Sequence, residues 1–245
     1  MAKQSGLGDQ LFIAGYDIGA DINSIASLST PRTTLPTTGI TQDAMERIYG
    51  TRDGQAEFTS YWNVATDRAH DALSTLPTTD VHLMYCRGSG VGSEAIGMVG
   101  KQIDYAGNRA DDGSFLLSTP VQANAYGIDW CQQLTAGSDT HASASNGTTL
   151  DTLASVSFGF QAYLQVFSVG SGTAEIRIED SANGTDWLDL TDGAFTNATD
   201  QTTERIQSSS ATAAVRRYLR VVSDGVFTDL VFAVAINKNL AARAL

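Results

Sequence analysis

Three histidines, two cysteines and several paired carboxylates are the residues of this chain whose types could carry chemistry. His70, His82 and His141 fall in stretches that read as helix, strand and connection. None has HExxH spacing, or a Cys or carboxylate at the interval that would converge donors on a zinc ion. Cys86 and Cys131 likewise show no metal or redox spacing and read as small buried side chains of a reducing compartment. No serine sits in a GxSxG elbow. Asp111 and Asp112 precede Gly113, where carboxylates usually bond their own turn backbone. Asp180, Asp186, Asp189 and Asp192 offer oxygen for calcium but lack the EF-hand interval and its closing glutamate. The run GSGVGS at 88–93 would cradle phosphate only ahead of a helix with a Lys-Ser/Thr pair, and a strand pattern follows it instead. The expectation is therefore a non-enzyme with no cofactor and no metal, whose function lies in its surfaces.

The elements that must form those surfaces read mostly as strands. From Gln55 to Asn63 the side chains alternate: Ala56, Phe58, Ser60 and Trp62 point one way, Gln55, Glu57, Thr59, Tyr61 and Asn63 the other. A helix over residues 67–76 follows, capped by Thr66, with Ala69, Ala72, Leu73 and Leu76 on one stripe and Pro77 just beyond. Upstream, residues 11–17 make a first strand, 18–28 a helix or a bent second strand, and 29–38 a Pro-containing loop. Residues 41–49 allow one or two helical turns around Ala44, Met45 and Ile48. Strands are expected at 81–87, 94–105 and 113–122, with Pro120 marking an edge, a bulge or a strand end in the last. The run TAGSDTHASASNGTTLDT almost lacks large apolar residues and reads as a linker over 139–152 between a domain of residues 1–138 and a C-terminal β-sandwich, jelly-roll or immunoglobulin-like, over 153–245. In that second part, alternation at 158–167 and 174–179, the Asn183-Gly184 turn and the runs at 187–190, 215–222 and 226–236 supply the strands.

Composition narrows the partners. The net charge is −12, with 8 basic against 16 acidic residues in 1–149 and 7 against 11 beyond, and lysine occurs only at Lys3, Lys101 and Lys238. Gripping nucleic acid takes clusters of Lys and Arg that release counterions, and none is present. MAKQSGLGDQ is not followed by the apolar core of a signal peptide and no window approaches a membrane span, so synthesis and retention in the cytoplasm, without a membrane partner, are expected.

Glu46-Arg47, Arg52-Asp53-Gly54, the polar-faced strand and short helix after them, LPTTDVHLMY, and Asp111-Asp112-Gly113 followed by a strand make the first 135 or so residues similar to the tail tube (major tail) proteins of long-tailed bacteriophages. The resemblance implies a mainly β tail-tube sandwich or barrel with one short helix. It also implies subunits that close into hexameric rings and stack, contacts with other tail proteins, a place in the virion tail after synthesis in the host cytoplasm, and DNA driven through the bore without specific binding. On that reading Gln55, Glu57 and Thr59, with Glu94, Gln102 and Asp104, are the candidate lumen-facing residues, because a wall of carboxylates and neutral polar groups would not hold DNA. Pro31, Arg32, Leu35, Met45, Arg47 and Ile48 are the candidate inter-subunit residues. EDSANGTDWLDL and RRYLRVV resemble the sandwiches appended to phage structural proteins and carbohydrate-binding modules, which implies weak glycan contact on the outside. A capsid or tail decoration protein, or a carbohydrate-binding module acting through that sandwich, is the alternative.

Overall fold

The computed structural model describes residues 5–241. In chain order the strands are β1 (Gln10–Ile13), β2 (Tyr16–Asp17), β3 (Ile22–Ser29), β4 (Arg32–Pro36), β5 (Arg47–Arg52), β6 (Gln55–Tyr61), β7 (Val81–Cys86), β8 (Glu94–Gln102), β9 (Ala106–Arg109) and β10 (Phe115–Gln133). There follow β11 (Asp139–His141), β12 (Ser145–Asn146), β13 (Leu150–Asp151), β14 (Phe160–Ser168), β15 (Ser171–Ser181), β16 (Trp187–Ala194), β17 (Thr202–Gln207), β18 (Tyr218–Thr228) and β19 (Leu230–Lys238). One α-helix, α1 (Ala69–Leu73), lies between β6 and β7. The chain is a mainly β protein with antiparallel sheets, as the alternating runs require.

The largest sheet runs β17-β14-β19-β10-β8-β7-β1-β2, with β6 also on β10, β3 on β6, β9 on β10 and β11 on β19. A second sheet runs β12-β18-β15-β16, with β13 also on β18, and β4 with β5 makes a separate ribbon. The 19-residue β10 links the two halves: residues 116–122 pair with β6, while Gln132 and Gln133 pair with β19. It turns between them at a bulge, where Ala125 (φ 68°) and Gly127 (φ 72°) take left-handed backbone and the register to β8 shifts. Pro120 stands where the strand flanking β10 changes from β9 to β8, so its missing N–H interrupts no continuous ladder.

Burial follows the strand period. In the N-terminal half Leu11, Ile13, Phe58, Leu73, Leu83, Met98 and Val121 share one core, closed at one end by α1. In the C-terminal half Phe160, Leu164, Ile176, Ile178, Leu219, Phe232 and Val234 fill the space between the two sheets. Phe12, Met84, Cys86, Ala95, Val99 and Cys131 meet Tyr163, Ala233 and Ala235 in a third cluster at the joint. Fully burying a side chain of this size contributes about 1.5–3 kcal/mol, so the joint is an energetic unit in its own right.

Several expectations are corrected. Residues 11–17 form a tight hairpin, β1 to β2, through Ala14 (φ 52°) and Gly15 (φ 83°), and residues 18–28 resolve into a 3-10 turn at Gly19–Asp21 followed by β3. Within 29–38, Arg32–Pro36 form β4 instead of a loop; of 41–49, residues 41–46 are turn and irregular backbone with no helical turn and Arg47 opens β5, in the register Leu35 opposite Ile48 and Thr34 opposite Tyr49. The helix is about half its expected length, because Asp67 (φ 60°) and Leu76 (φ 44°) sit in left-handed backbone that no right-handed helix includes. Its cap is not Thr66 but the buried Asp21, whose carboxylate accepts from the Ala69 N–H (3.1 Å) and from Asn63 (2.8 Å). Trp62 lies past the end of β6, where alternation stops, and is exposed. Residues 139–152, expected as a free linker, hold three short strands, β11 on β19 and β12 and β13 on β18. Backbone pairing satisfies that stretch without the large side chains whose absence suggested a linker, and Leu150 and His141 are buried.

A candidate assembly surface

The residues with chemical potential are engaged inside the fold. His70 Nδ1 lies 3.4 Å from the Tyr105 hydroxyl, His82 Nδ1 2.8 Å from that of Thr203, and His141 Nδ1 2.6 Å from that of Ser223. Burial pushes His82 and His141 below the ordinary imidazole range. Cys86 and Cys131 both stand opposite Ala95, on either side of β8, so roughly 10 Å of sheet separates them and no bridge can form. Burial also pushes the Cys86 thiol up to about 12. The four aspartates weighed for calcium go to separate partners: Asp180 to Arg216, Asp186 to Asn183, Asp189 to Arg177 and Asp192 to Ser209. Among the described residues no three His, Cys, Asp or Glu side chains converge as metal ligands.

The polar-faced strand is β6, and it is an inner strand with β3 on one side and β10 on the other. Ala56, Phe58 and Ser60 are buried, while Gln55, Glu57 and Thr59 share the opposite face. Register extends that face across three strands. Ser24, Ser27 and Ser29 stand opposite Thr59, Glu57 and Gln55 on β3. On β10, Ser118, Pro120 and Gln122 stand opposite the same three. Hydroxyls bond hydroxyls along it: Ser24 to Thr59 at 2.8 Å, with Ser118 donating to Glu57 at 3.3 Å. In these register rows Glu57 is the single charged side chain.

The other three candidate lumen-facing residues, expected on a second strand, do not share this face. Gln102 is buried, and its amide donates to the Leu73 carbonyl at 2.7 Å, closing the end of α1. It faces the core because β8 runs under the helix at that point, so it cannot line a channel. Asp104 lies in the exposed connection after β8 and accepts from the Tyr105 N–H at 2.8 Å. Glu94 opens β8 at its far end, exposed, opposite Gln132. Lys101 is paired with Asp80 at 2.8 Å.

The six expected contact residues do come together, in the β4–β5 arm. Pro31, Arg32 and Leu35 lie on its outgoing side, Met45, Arg47 and Ile48 on its return, with Leu35 opposite Ile48 and Pro36 opposite Arg47. From residue 30 to residue 49 every position except Thr38 is exposed. Leu35 (53%), Ile48 (54%), Tyr49 (75%), Met45 (59%) and Ile40 are thus large apolar side chains in water. Arg52-Asp53-Gly54 pins the base of the arm. The Arg52 guanidinium donates to the Tyr126 carbonyl (2.8 Å), and Asp53 accepts from its neighbour Gly54 (2.7 Å) and from Gln122 (2.8 Å). A Cβ on Gly54 would meet Ile128 at 3.0 Å, so glycine lets the arm's root pack against the β10 bulge.

No family profile matches the chain, and no curated protein matches it in sequence. Solved structures do resemble it. One is the Dit protein of phage SPP1, described as a paradigm of the hub adsorption apparatus in phages infecting Gram-positive bacteria. It has a TM-score of 0.36 at 10% identity, over 95% of this chain and 99% of that one. A chain from the tail of an empty GTA particle of C6 symmetry has a TM-score of 0.39 at 11% identity, over 50% of this chain and 96% of its own. A chain of the phage p2 baseplate in its activated conformation with Sr has a TM-score of 0.34 at 11% identity, over 94% and 98%.

Two features were beyond the reach of sequence reasoning. The extension of the polar face onto Ser24, Ser27, Ser29 and Gln122 depends on strand partners far away in sequence. The exposed aromatic patch past the end of β6 depends on a contact between Trp62 and Phe115, distant in sequence.

Proposed function

We propose that the chain is a structural protein of a phage tail, whose copies close into six-membered rings that stack as a tube through which DNA leaves. The observation that carries the reading is the arm: an isolated two-stranded ribbon is marginal in water, and this one exposes five large apolar side chains with no strand of its own body beside them. Such a ribbon gains its stability from a neighbouring subunit. The wet face of β3, β6 and β10 then lines the bore. Hydroxyls and amides with one carboxylate, Glu57, give DNA phosphates no cation to hold. No catalytic step is required of any residue. The second sheet of the C-terminal half sits outside, where weak contact with host surface glycans is its expected role, and other tail proteins meet the ends of the stack. The place of action is the virion tail, after synthesis in the host cytoplasm.

Electron cryo-microscopy of the purified protein tests this. Stacked hexameric rings with a neutral to acidic lumen are expected, and a monomer at every concentration, or a basic lumen, overturns the reading. Replacing Glu57 with Lys is expected to leave rings intact and to slow DNA delivery by particles that carry it.

A further inference from the structure

The arm and the face that receives it lie at opposite ends of one strand pair. Ser29 pairs with Gln55 where the arm leaves the body, and Ile22 pairs with Ser60 at the other end. A strand of this length spans about 20 Å. Just past that other end, Tyr61, Trp62 and Val64 are exposed, and the Trp62 ring lies 5.0 Å from that of Phe115. Trp62 is braced from behind, its ring 5.6 Å from His70, which stands 5.8 Å from Tyr105. This is a rigid, half-exposed aromatic platform of the kind that anchors interfaces.

We propose that this platform is the seat for the β4–β5 arm of a second copy, so that the chain associates head to tail. The inference rests on the self-assembly reading above and supplies its contact. Three observations select a second copy as the occupant. The arm's Leu35 and Ile48 form a cross-strand apolar pair that the body does not cover. The platform is at the end of the body that the arm does not reach. Charge at the strands is also complementary: β4 and β5 carry Arg32 and Arg47, with Arg52 engaged at the root by the Tyr126 carbonyl, while the arm's own carboxylates, Asp43 and Glu46, lie in the connection between the two strands. The ground around the platform carries Asp67, Asp71, Asp111 and Asp112 against Arg68 and Arg109. Because giver and receiver are different surfaces, the contact is heterologous, and each added copy presents a fresh platform or a fresh arm. Such a contact propagates along an axis instead of closing a dimer, which is what stacking needs.

Crosslinking of the full chain decides it. Copies carrying Ile48→Cys are mixed with copies carrying Val64→Cys and treated with a short bismaleimide; Cys86 and Cys131 are buried and stay silent. Covalent dimers are expected in the mixture and not in either variant alone, and the doubly substituted chain is expected to give a ladder. Dimers from Ile48→Cys alone would mean arm meets arm and would overturn the proposal. Assembled particles without crosslinks in the mixture would overturn it too while leaving self-assembly standing, whereas absence of assembly in the unsubstituted chain would remove both. Leu35→Asp with Ile48→Asp is expected to weaken association at least tenfold with the melting temperature of the body unchanged, and association at the original strength would equally overturn it.

Discussion

The outer face of the C-terminal sheet and the ends of the N-terminal sheet solve the problem of exposed surface in opposite ways. On β15, β16 and β18 charges are answered inside the chain. Arg177 reaches Asp189 (2.8 Å), Asp224 (2.5 Å) and Glu179 (3.3 Å), and Arg220 binds Glu179 (2.6 Å) while lying 4.3 Å over the Trp187 ring. Arg216 pairs with Asp180 (3.2 Å) and Arg217 with Asp151 (2.7 Å). The exposed pair Arg217–Asp151 contributes little stability, whereas Glu179 and Asp180 are buried and would be costly without their arginines; together the pairs leave few charges waiting for a ligand. The N-terminal half instead puts a nearly neutral polar face in the middle and apolar residues at both ends, the arm at one and Trp62 at the other. The difference places the uncovered apolar surface at the two ends of the N-terminal half, which is where the proposed assembly would draw its contacts.

The comparison breaks hardest if the two halves are separated. Ending the chain after residue 138 removes Tyr163, Phe167, Ala233 and Ala235 from the joint and strips β19 from β10. The apolar side chains of Phe12, Met84, Ala95 and Val99 would then face water beside an open strand edge, a recognised route to aggregation. An insoluble product, or one without a cooperative thermal transition, is expected. A soluble, cooperatively melting fragment of 5–138 would make the halves independent and confine the joint to mere contact.

A smaller cut goes through the same joint. Asp129 on β10 is fully buried, accepts from the Tyr163 hydroxyl at 2.7 Å and lies 3.6 Å from the Arg205 guanidinium of β17, which itself stacks 3.9 Å over Tyr126. Removing one member of a buried charge pair strands the other, at a cost of about 3–5 kcal/mol. Asp129→Asn is expected to lower the denaturant midpoint accordingly, and Asp129→Leu with Arg205→Met to recover part of the loss. A change below about 1 kcal/mol for the single variant would show that the joint is held by its apolar contacts alone.

How far the sequence revealed these regions follows from the range of the forces involved. Alternation over 55–61 is local, so β6 and its polar face were legible residue by residue. Residues 44–48 were not, because Ala44, Met45 and Ile48 mimic helical spacing while the ribbon that they join is exposed on both faces and imposes no pattern of its own. Gln102 looked like a polar strand residue, and only the approach of α1 turns it inward to the Leu73 carbonyl. β17, TTERIQ, has no large apolar residue apart from Ile206 and carries no strand pattern of its own, since its place comes from pairing with β14. The inter-subunit candidates lie in one arm because they come from one contiguous stretch, and contiguity survives folding where face assignments on distant strands do not.

The finest distinction concerns the seam between β19 and the strands of residues 139–152, and it is a matter of pH. The Lys238 ammonium donates to the Thr152 hydroxyl (2.6 Å), the Ala154 carbonyl (2.7 Å) and the Arg216 carbonyl (3.1 Å). Burial lowers its pKa to about 8, with the carboxylates of Asp180 and Asp151 opposing the shift. An amine whose folded pKa lies below its unfolded value binds its proton more readily in the unfolded chain, so stability rises with pH between about 8 and the unfolded value. Cys86 and Cys131 act in the opposite sense from about pH 8 upward, because burial pushes both thiols up and they ionise first in the unfolded chain. The Lys238 contribution is therefore isolated by difference: between pH 8 and 9 the native chain is expected to gain about 0.5–1 kcal/mol relative to Lys238→Met, in which the two thiols act alike. Denaturant melts of both chains at pH 8.0, 8.5 and 9.0 should show that divergence. The same pH dependence in both would mean that the seam does not desolvate its ammonium, and that the strands of 139–152 are held by backbone pairing alone.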